Sequence, residues 1–207
     1  MKRKGCFITF EGIDGSGKTT QLKLAERFLR KHGLPVLVLR EPGSTPLSER
    51  IRRILLDKRM HISPVAELNL YLAARAELVE DVIAPALKEG RVILCDRFHD
   101  STTAYQGYGR GLDIAVVEKM NRLAIGLHVP DLTLFIDVTY AVSLGRRKKK
   151  SDRLESESRA FFNKVRHGFL EIAARDKKRV TVIDGSPTVD EIFAEVRTCL
   201  QRKLKIK

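Results

Sequence analysis

Residues Gly12, Ile13, Asp14, Gly15, Ser16, Gly17, Lys18 and Thr19 spell G-x-x-x-x-G-K-T directly after the apolar run Cys6-Phe7-Ile8-Thr9-Phe10. Glycines at this spacing let successive backbone N–H groups converge on a polyphosphate. The lysine can reach the β and γ phosphates, and the hydroxyl beside it can ligate Mg2+. On pattern alone, a glycine-rich strand-to-helix turn with no ligand would read the same way. Context favours the phosphate: Leu22, Ala25, Phe28 and Leu29 recur at helical spacing, so the loop opens a helix whose N-terminus attracts anions. Gly33-Leu34-Pro35 ends that helix before a second apolar run, Val36-Leu37-Val38-Leu39.

A third apolar run, Arg91-Val92-Ile93-Leu94-Cys95, leads into Asp96-Arg97. An aspartate here can hold Mg2+ directly or through water, and the arginine offers a planar fork to a phosphate; without the loop, the pair would read as an ion pair closing a strand. Asp100 to Gly107 carries hydroxyls, an aromatic ring and an amide, the mix that reads a base by hydrogen bonds and stacking. Tyr71 and Arg75, four residues apart, share one helix face and can meet one ligand, although a half-buried ring beside an exposed arginine is an equally common arrangement. The turn Arg40-Glu41-Pro42-Gly43-Ser44-Thr45 is compatible with geometry alone.

Positioning these groups requires strands near 6 to 10, 36 to 40, 91 to 95, 132 to 138 and 179 to 183, alternating with helical patterns. That order predicts an α/β fold, a doubly wound five-stranded parallel sheet with helices on both faces, which gathers ligands at the carboxyl ends of its strands. Thr45 with Pro46, Ser63 with Pro64, Asp113, and the capping box Thr188 to Glu191 mark helix starts. Pro85 predicts a kink or break within the helical stretch 64 to 89.

A chain of 207 residues without a linker reads as one domain, 1 to 207. Cys6, Cys95 and Cys199 lack metal-type spacing and read as reduced thiols. Met1-Lys2-Arg3-Lys4 precedes an apolar run too short for a signal segment or membrane span, which predicts a cytoplasmic protein with no membrane partner. The net charge of +13 raises the alternative of a nucleic-acid-stimulated ATPase. A chain with 6% aromatic residues and no Trp is poorly equipped to stack bases, so a nucleic-acid partner is not expected. The dense run Arg146-Arg147-Lys148-Lys149-Lys150 reads as a solvated face or as a grip on phosphate-rich ligands.

Taken together, FEGIDGSGKTT (10 to 20), REPGST (40 to 45), YLAAR (71 to 75), DRFHDSTTAYQG (96 to 107), PDLTLFIDV (130 to 138) and DRLE (152 to 155) resemble the thymidylate kinase family nearly end to end. The resemblance implies a P-loop nucleoside monophosphate kinase fold that transfers the γ-phosphoryl of MgATP to dTMP, giving dTDP and ADP. Lys18 would cradle the β and γ phosphates, Thr19 would ligate Mg2+, and Asp96 would support the ion through water. Arg97 would bind the acceptor phosphate, Asp14 would reach the acceptor sugar, and Glu41 would shape that pocket. Tyr71 stands where the family more often stacks Phe on thymine. Arg75 would bond the base O4 with Ser101 and Thr102 on its polar edge, Tyr105 would exclude a ribose 2'-hydroxyl, and Gln106 would lie in the same segment. The lid, about 146 to 159, would supply a catalytic arginine, expected at Arg153, with Arg146 or Arg147 as its replacement. Homodimers are also implied, with Leu68-Leu70-Leu72 and Ala115-Val116-Val117 as interface or core. Gly15 departs from the branch that carries an arginine after the loop aspartate. Phe98, Ser44 and three lid lysines depart in detail. The rival within the same chemistry is a kinase for another nucleoside monophosphate.

Overall fold

The computed structural model describes residues 5–147 and 152–206. Met1 to Lys4, Lys148 to Ser151 (with most of the basic run) and Lys207 lie outside the described residues. Five strands, β1 (Cys6–Glu11), β2 (Val36–Arg40), β3 (Val92–Asp96), β4 (Leu132–Asp137) and β5 (Val180–Asp184), form one parallel sheet in the order β2-β3-β1-β4-β5, each within one residue of its expected bounds. The central β1 is buried along its whole length, whereas the edge strands β2 and β5 alternate between buried and open positions.

The period-two alternation of side chains divides the core in two. Ile8, Phe10, Leu94 and Leu134 pack against α1 (Lys18–Lys31) and α9 (Val189–Leu204). On the opposite face, Phe7, Ile93 and Cys95 pack on the helical stretch that runs from α3 (Pro64–Leu78) through a π-helical turn, Val79–Ile83, into α4 (Ala84–Lys88). The π turn lies just before Pro85, where the sequence predicts an interruption. Widening one turn relieves the clash between the proline ring and the preceding backbone without ending the helix. A second π-helical turn, Thr103–Gly109, follows the short α5 (His99–Thr102) and has no signal in the sequence.

The expected caps are all in place. Thr45 caps α2 (Pro46–Leu56), Ser63 caps α3, Asp113 caps α6 (Ile114–Ile125), and Thr188 and Glu191 form the reciprocal box of α9. Thr139 and Ser158 likewise cap α7 (Tyr140–Arg146) and α8 (Arg159–Arg175). Leu68, Leu72 and Val117 form a core cluster between α3 and α6, so they face inward, while Val116 of the same expected stretch is 54% exposed.

The connection from β1 crosses to β2 on one side, and that from β3 crosses to β4 on the other, which opens a crevice at the carboxyl ends of β1 and β3. Behind it, α5 is tied to the sheet. Asp100 accepts from Arg179 and from Thr133 Oγ1 at 3.2 Å, and Thr133 and Thr9 share a 2.8 Å hydrogen bond.

Beside Asp100, burial pushes the His99 imidazole down to about 4, with Arg179 and Arg75 adding to the drop and Asp100 opposing it. The folded protein therefore keeps His99 neutral at a pH where the unfolded chain has taken up a proton, and stability is lost as pH falls from about 6.5 towards 4. His99→Asn is expected to lose less stability than the parent between pH 7 and pH 4.5 in urea denaturation; equal losses would contradict this.

Candidate active site

Between β1 and α1 the loop takes conformations that suit glycine, with φ of 80° at Gly15 and 96° at Gly17. A Cβ on Gly15 would clash with Ser143 O and lie 3.3 Å from Arg147 Cγ, so α7 occupies the space that a side chain at 15 would need. No side chain caps α1, whose N-terminal amides face the loop instead. Ser143 Oγ donates to Asp14 O at 2.6 Å, and Arg147 Nε reaches the same carbonyl at 3.4 Å, its guanidinium 4.1 Å from the Phe162 ring centre. Lys18, Thr19, Arg146, Pro187 and Thr188 line a cleft here. Arg146 donates to Gly185 O at 2.7 Å on its far wall.

The Thr19 hydroxyl donates to Asp96, which places two hard oxygen ligands side by side. Among the described residues no cluster of three His, Cys, Asp or Glu forms a metal cage. The pair suits Mg2+, which is held by one or two protein oxygens and completed by phosphate and water.

Arg97 sits at φ 71°, in the left-handed region that is uncommon for arginine. Its N–H donates to Phe10 O at 3.0 Å. The next amide, of Phe98, donates to the buried Glu11 at 2.7 Å, and Ser101 Oγ donates to the same carboxyl. This turn aims the guanidinium at Asp14, 2.7 Å away, with further bonds to Ser101 Oγ at 3.1 Å and Tyr105 OH at 3.2 Å. Burial alone would raise the Asp14 pKa, but Arg97 and Lys18, with Arg147 behind them, hold it well below the usual carboxylate range. Glu11 has only neutral donors in contact, and burial raises its pKa with Asp100 adding to the effect. Sequence reasoning gave Glu11 no role; the available signal was an acidic residue ending an otherwise apolar strand.

Asp14, Glu41, Tyr71, Arg75, Arg97, Ser101, Thr102, Tyr105 and Gln106, all expected to meet one ligand, line a single cavity, partly open to solvent, beside the loop. Arg75 is not the exposed arginine of the bland reading, for only 1% of it is exposed. Its Nε and Nη2 donate to Glu41 at 2.6 to 3.0 Å, Nη2 also to Phe98 O at 3.3 Å, and Nη1 to Asn121 at 2.7 Å. A guanidinium has five N–H donors, so one Nη1–H remains for a ligand. Burial raises the Glu41 pKa, and Arg75 opposes that shift. The Thr102 hydroxyl is buried without a partner.

The structure places Arg153, the expected lid arginine, away from the phosphate loop. It lines neither the loop cleft nor the cavity; Nε donates to Leu55 O at 2.8 Å and Nη2 to buried Glu67. The guanidinium is drawn there by a buried carboxylate and the open carbonyls at the end of α2, a pull the linear sequence does not display. The cavity also takes in Arg52 and Leu56, four apart on one face of α2, and Asp152 and Leu154. The helical spacing of Arg52 and Leu56 was readable but not used.

A family model described as thymidylate kinase matches residues 10–196. A thymidylate kinase of Thermoanaerobacter sp. (strain X514) is 47% identical over 202 residues, covering 97% of this chain and all of that one. One of Kosmotoga olearia is 50% identical over 192 residues, 92% of each chain. The crystal structure of thymidylate kinase from Ehrlichia chaffeensis superposes with a TM-score of 0.79 at 37% identity, covering 96% of this chain and 99% of that one. Matched along nearly its whole length in sequence and in fold, the chain belongs to the thymidylate kinase family.

Proposed function

We propose that the protein transfers the γ-phosphoryl group of ATP to dTMP, giving dTDP and ADP, and so supplies thymidine nucleotides for DNA synthesis. The observation that carries this reading is the meeting of the phosphate loop and the acceptor cavity at the Asp14 and Arg97 ion pair. ATP phosphates lie on the loop amides and Lys18, with the base between Arg146 and the Gly185 to Thr188 segment. Thr19 and Asp96 would hold Mg2+, which would supply positive charge to offset that of the phosphates. The dTMP phosphate meets Arg97 and Arg52. Thymine lies against Tyr71, with the remaining Arg75 N–H and the Thr102 and Ser101 hydroxyls on its polar edge, and Gln106 beside them. Tyr105 fills the space of a 2'-hydroxyl, and Asp14 faces the sugar.

Phosphoryl transfer asks little covalent chemistry of the protein; alignment and placed cations lower the barrier. The lid cation in this account is Arg147, which like Arg153 lines neither the loop cleft nor the cavity but bonds to the carbonyl of the loop residue Asp14. A side chain at position 15 would meet the Arg147 Cγ at 3.3 Å, so this arginine stands beside the place where the other branch of the family carries a loop arginine. The protein acts in the cytoplasm as a homodimer. The pairing surface is the outer side of α6 and the turn after it, where Val116 is 54%, Leu123 87% and Leu127 96% exposed.

In a coupled assay of ADP release with MgATP, dTMP is expected to turn over far faster than UMP, CMP, AMP or GMP, and single-stranded DNA alone is expected to give none. Preference for another monophosphate would overturn the base-reading residues. Arg147→Ala is expected to lower kcat about a hundredfold with KM for both nucleotides within about threefold, as loss of a transition-state contact does; a kcat near the parent value would remove Arg147 from this role. Leu123→Lys is expected to turn a dimer into a monomer in sedimentation equilibrium, and a parent protein that is already monomeric would refute the pairing.

A further inference from the structure

Glu67 is a buried carboxylate that the transfer chemistry does not use. It lies in the first turns of α3 with its side chain fully covered, one helical turn before Tyr71, which lines the acceptor cavity. Three side chains from two separate parts of the chain converge on it. Gln106 Nε2 donates to it at 2.8 Å, Arg110 donates through Nε at 3.1 Å and Nη2 at 3.2 Å, and Arg153 donates through Nη2. Arg110, Gln106 and Arg153 together outweigh the effect of burial and keep Glu67 below its ordinary pKa.

Each partner carries part of the cavity. Gln106 is itself in the wall. Arg153 is flanked by Asp152 and Leu154, which line the cavity. The turn they form is closed by Asp152, whose side chain accepts from the Leu154 and Glu155 amides at 2.9 Å each. Arg153 also holds this turn to the end of α2 through Leu55 O and, with its backbone N–H, Leu56 O at 3.4 Å. Arg110 ties down the far end of the segment by donating to Glu157 at 2.6 Å.

We propose that Glu67 is a positioning residue for the acceptor site: acting through Gln106, Arg110 and Arg153, it sets the cavity wall and holds segment 152 to 157 over it as a roof. Arg153 is thereby a clamp on the acceptor pocket and not the cation on the transferring group. The proposal rests on the cavity being the dTMP site. A positioning role of this kind acts on capture of the acceptor more than on the donor, because no Glu67 partner lines the phosphate-loop cleft. It also makes Glu67 and Arg153 one energetic unit, so their losses do not add.

The test is steady-state kinetics of Glu67→Gln, Arg153→Ala and the double variant, with dTMP and ATP each varied, and a thermal melt of each protein. Glu67→Gln preserves shape while removing the charge. Both single variants are expected to raise KM for dTMP about tenfold with KM for ATP and kcat within about threefold, and the double variant is expected to be no worse than the larger single effect. A lowered melting temperature with KM for dTMP unchanged, or fully additive effects, would overturn the proposal. So would a large loss of kcat in Arg153→Ala at constant KM. If Glu67→Gln does not fold, Arg153→Ala alone decides on the same criterion. Absence of dTMP turnover in the parent enzyme would instead refute the proposed function, so the two failures are distinguishable.

Discussion

The contact between Asp14 and Arg97 is the interaction on which the site depends, because it joins the phosphate loop to the cavity beside it. Asp14 belongs to the phosphate loop after β1, and Arg97 to the turn after β3. The parallel sheet places those strand ends side by side, and the left-handed turn at Arg97 swings its guanidinium towards the loop. A residue in that conformation costs on the order of 1 kcal/mol or more and persists only where its surroundings fix it. Here the surroundings are the Phe10 carbonyl and the buried Glu11, so the last residues of β1 determine where the Arg97 guanidinium points.

Around this contact the walls of the cavity are built from charge that is already matched. Glu41 with Arg75, and Glu67 with Arg110 and Arg153, are ionic groups withdrawn from water, each with several hydrogen bonds. Such pairs add little net stability, since desolvation offsets the attraction, yet removing one partner costs about 3–5 kcal/mol. Their value lies in fixing direction. Arg75 is held so firmly by Glu41 and Asn121 that its one remaining N–H has a set orientation, and a base presenting a donor there would meet a donor.

Much of this architecture was legible in the sequence because its signals are local. The loop glycines, the apolar runs and the capping residues each act within a few positions, so strands and helix starts emerged close to their observed places. The residues that the family resemblance assigns to an acceptor line one pocket in the structure. Interactions between distant segments were not readable. Arg153 sits beside a basic run and reads as a catalytic cation, but Glu67, 86 positions away, draws it elsewhere. Glu11 is matched by Phe98 and Ser101, 87 and 90 positions later, and nothing in its neighbourhood marks it. Gly15 read as a branch marker; only the structure shows that α7 and Arg147 fill the space beside it.

The central claim is that donor and acceptor phosphates lie in line across the Asp14 and Arg97 contact. Isothermal titration with adenosine and thymidine joined 5' to 5' through a five-phosphate bridge, in the presence of Mg2+, tests it most directly. The account predicts binding at least about a hundredfold tighter than dTMP or ATP alone, since one ligand then occupies both sites without a second loss of freedom. Affinity no better than that of the tighter single nucleotide would show that the two cavities do not form one continuous reaction site.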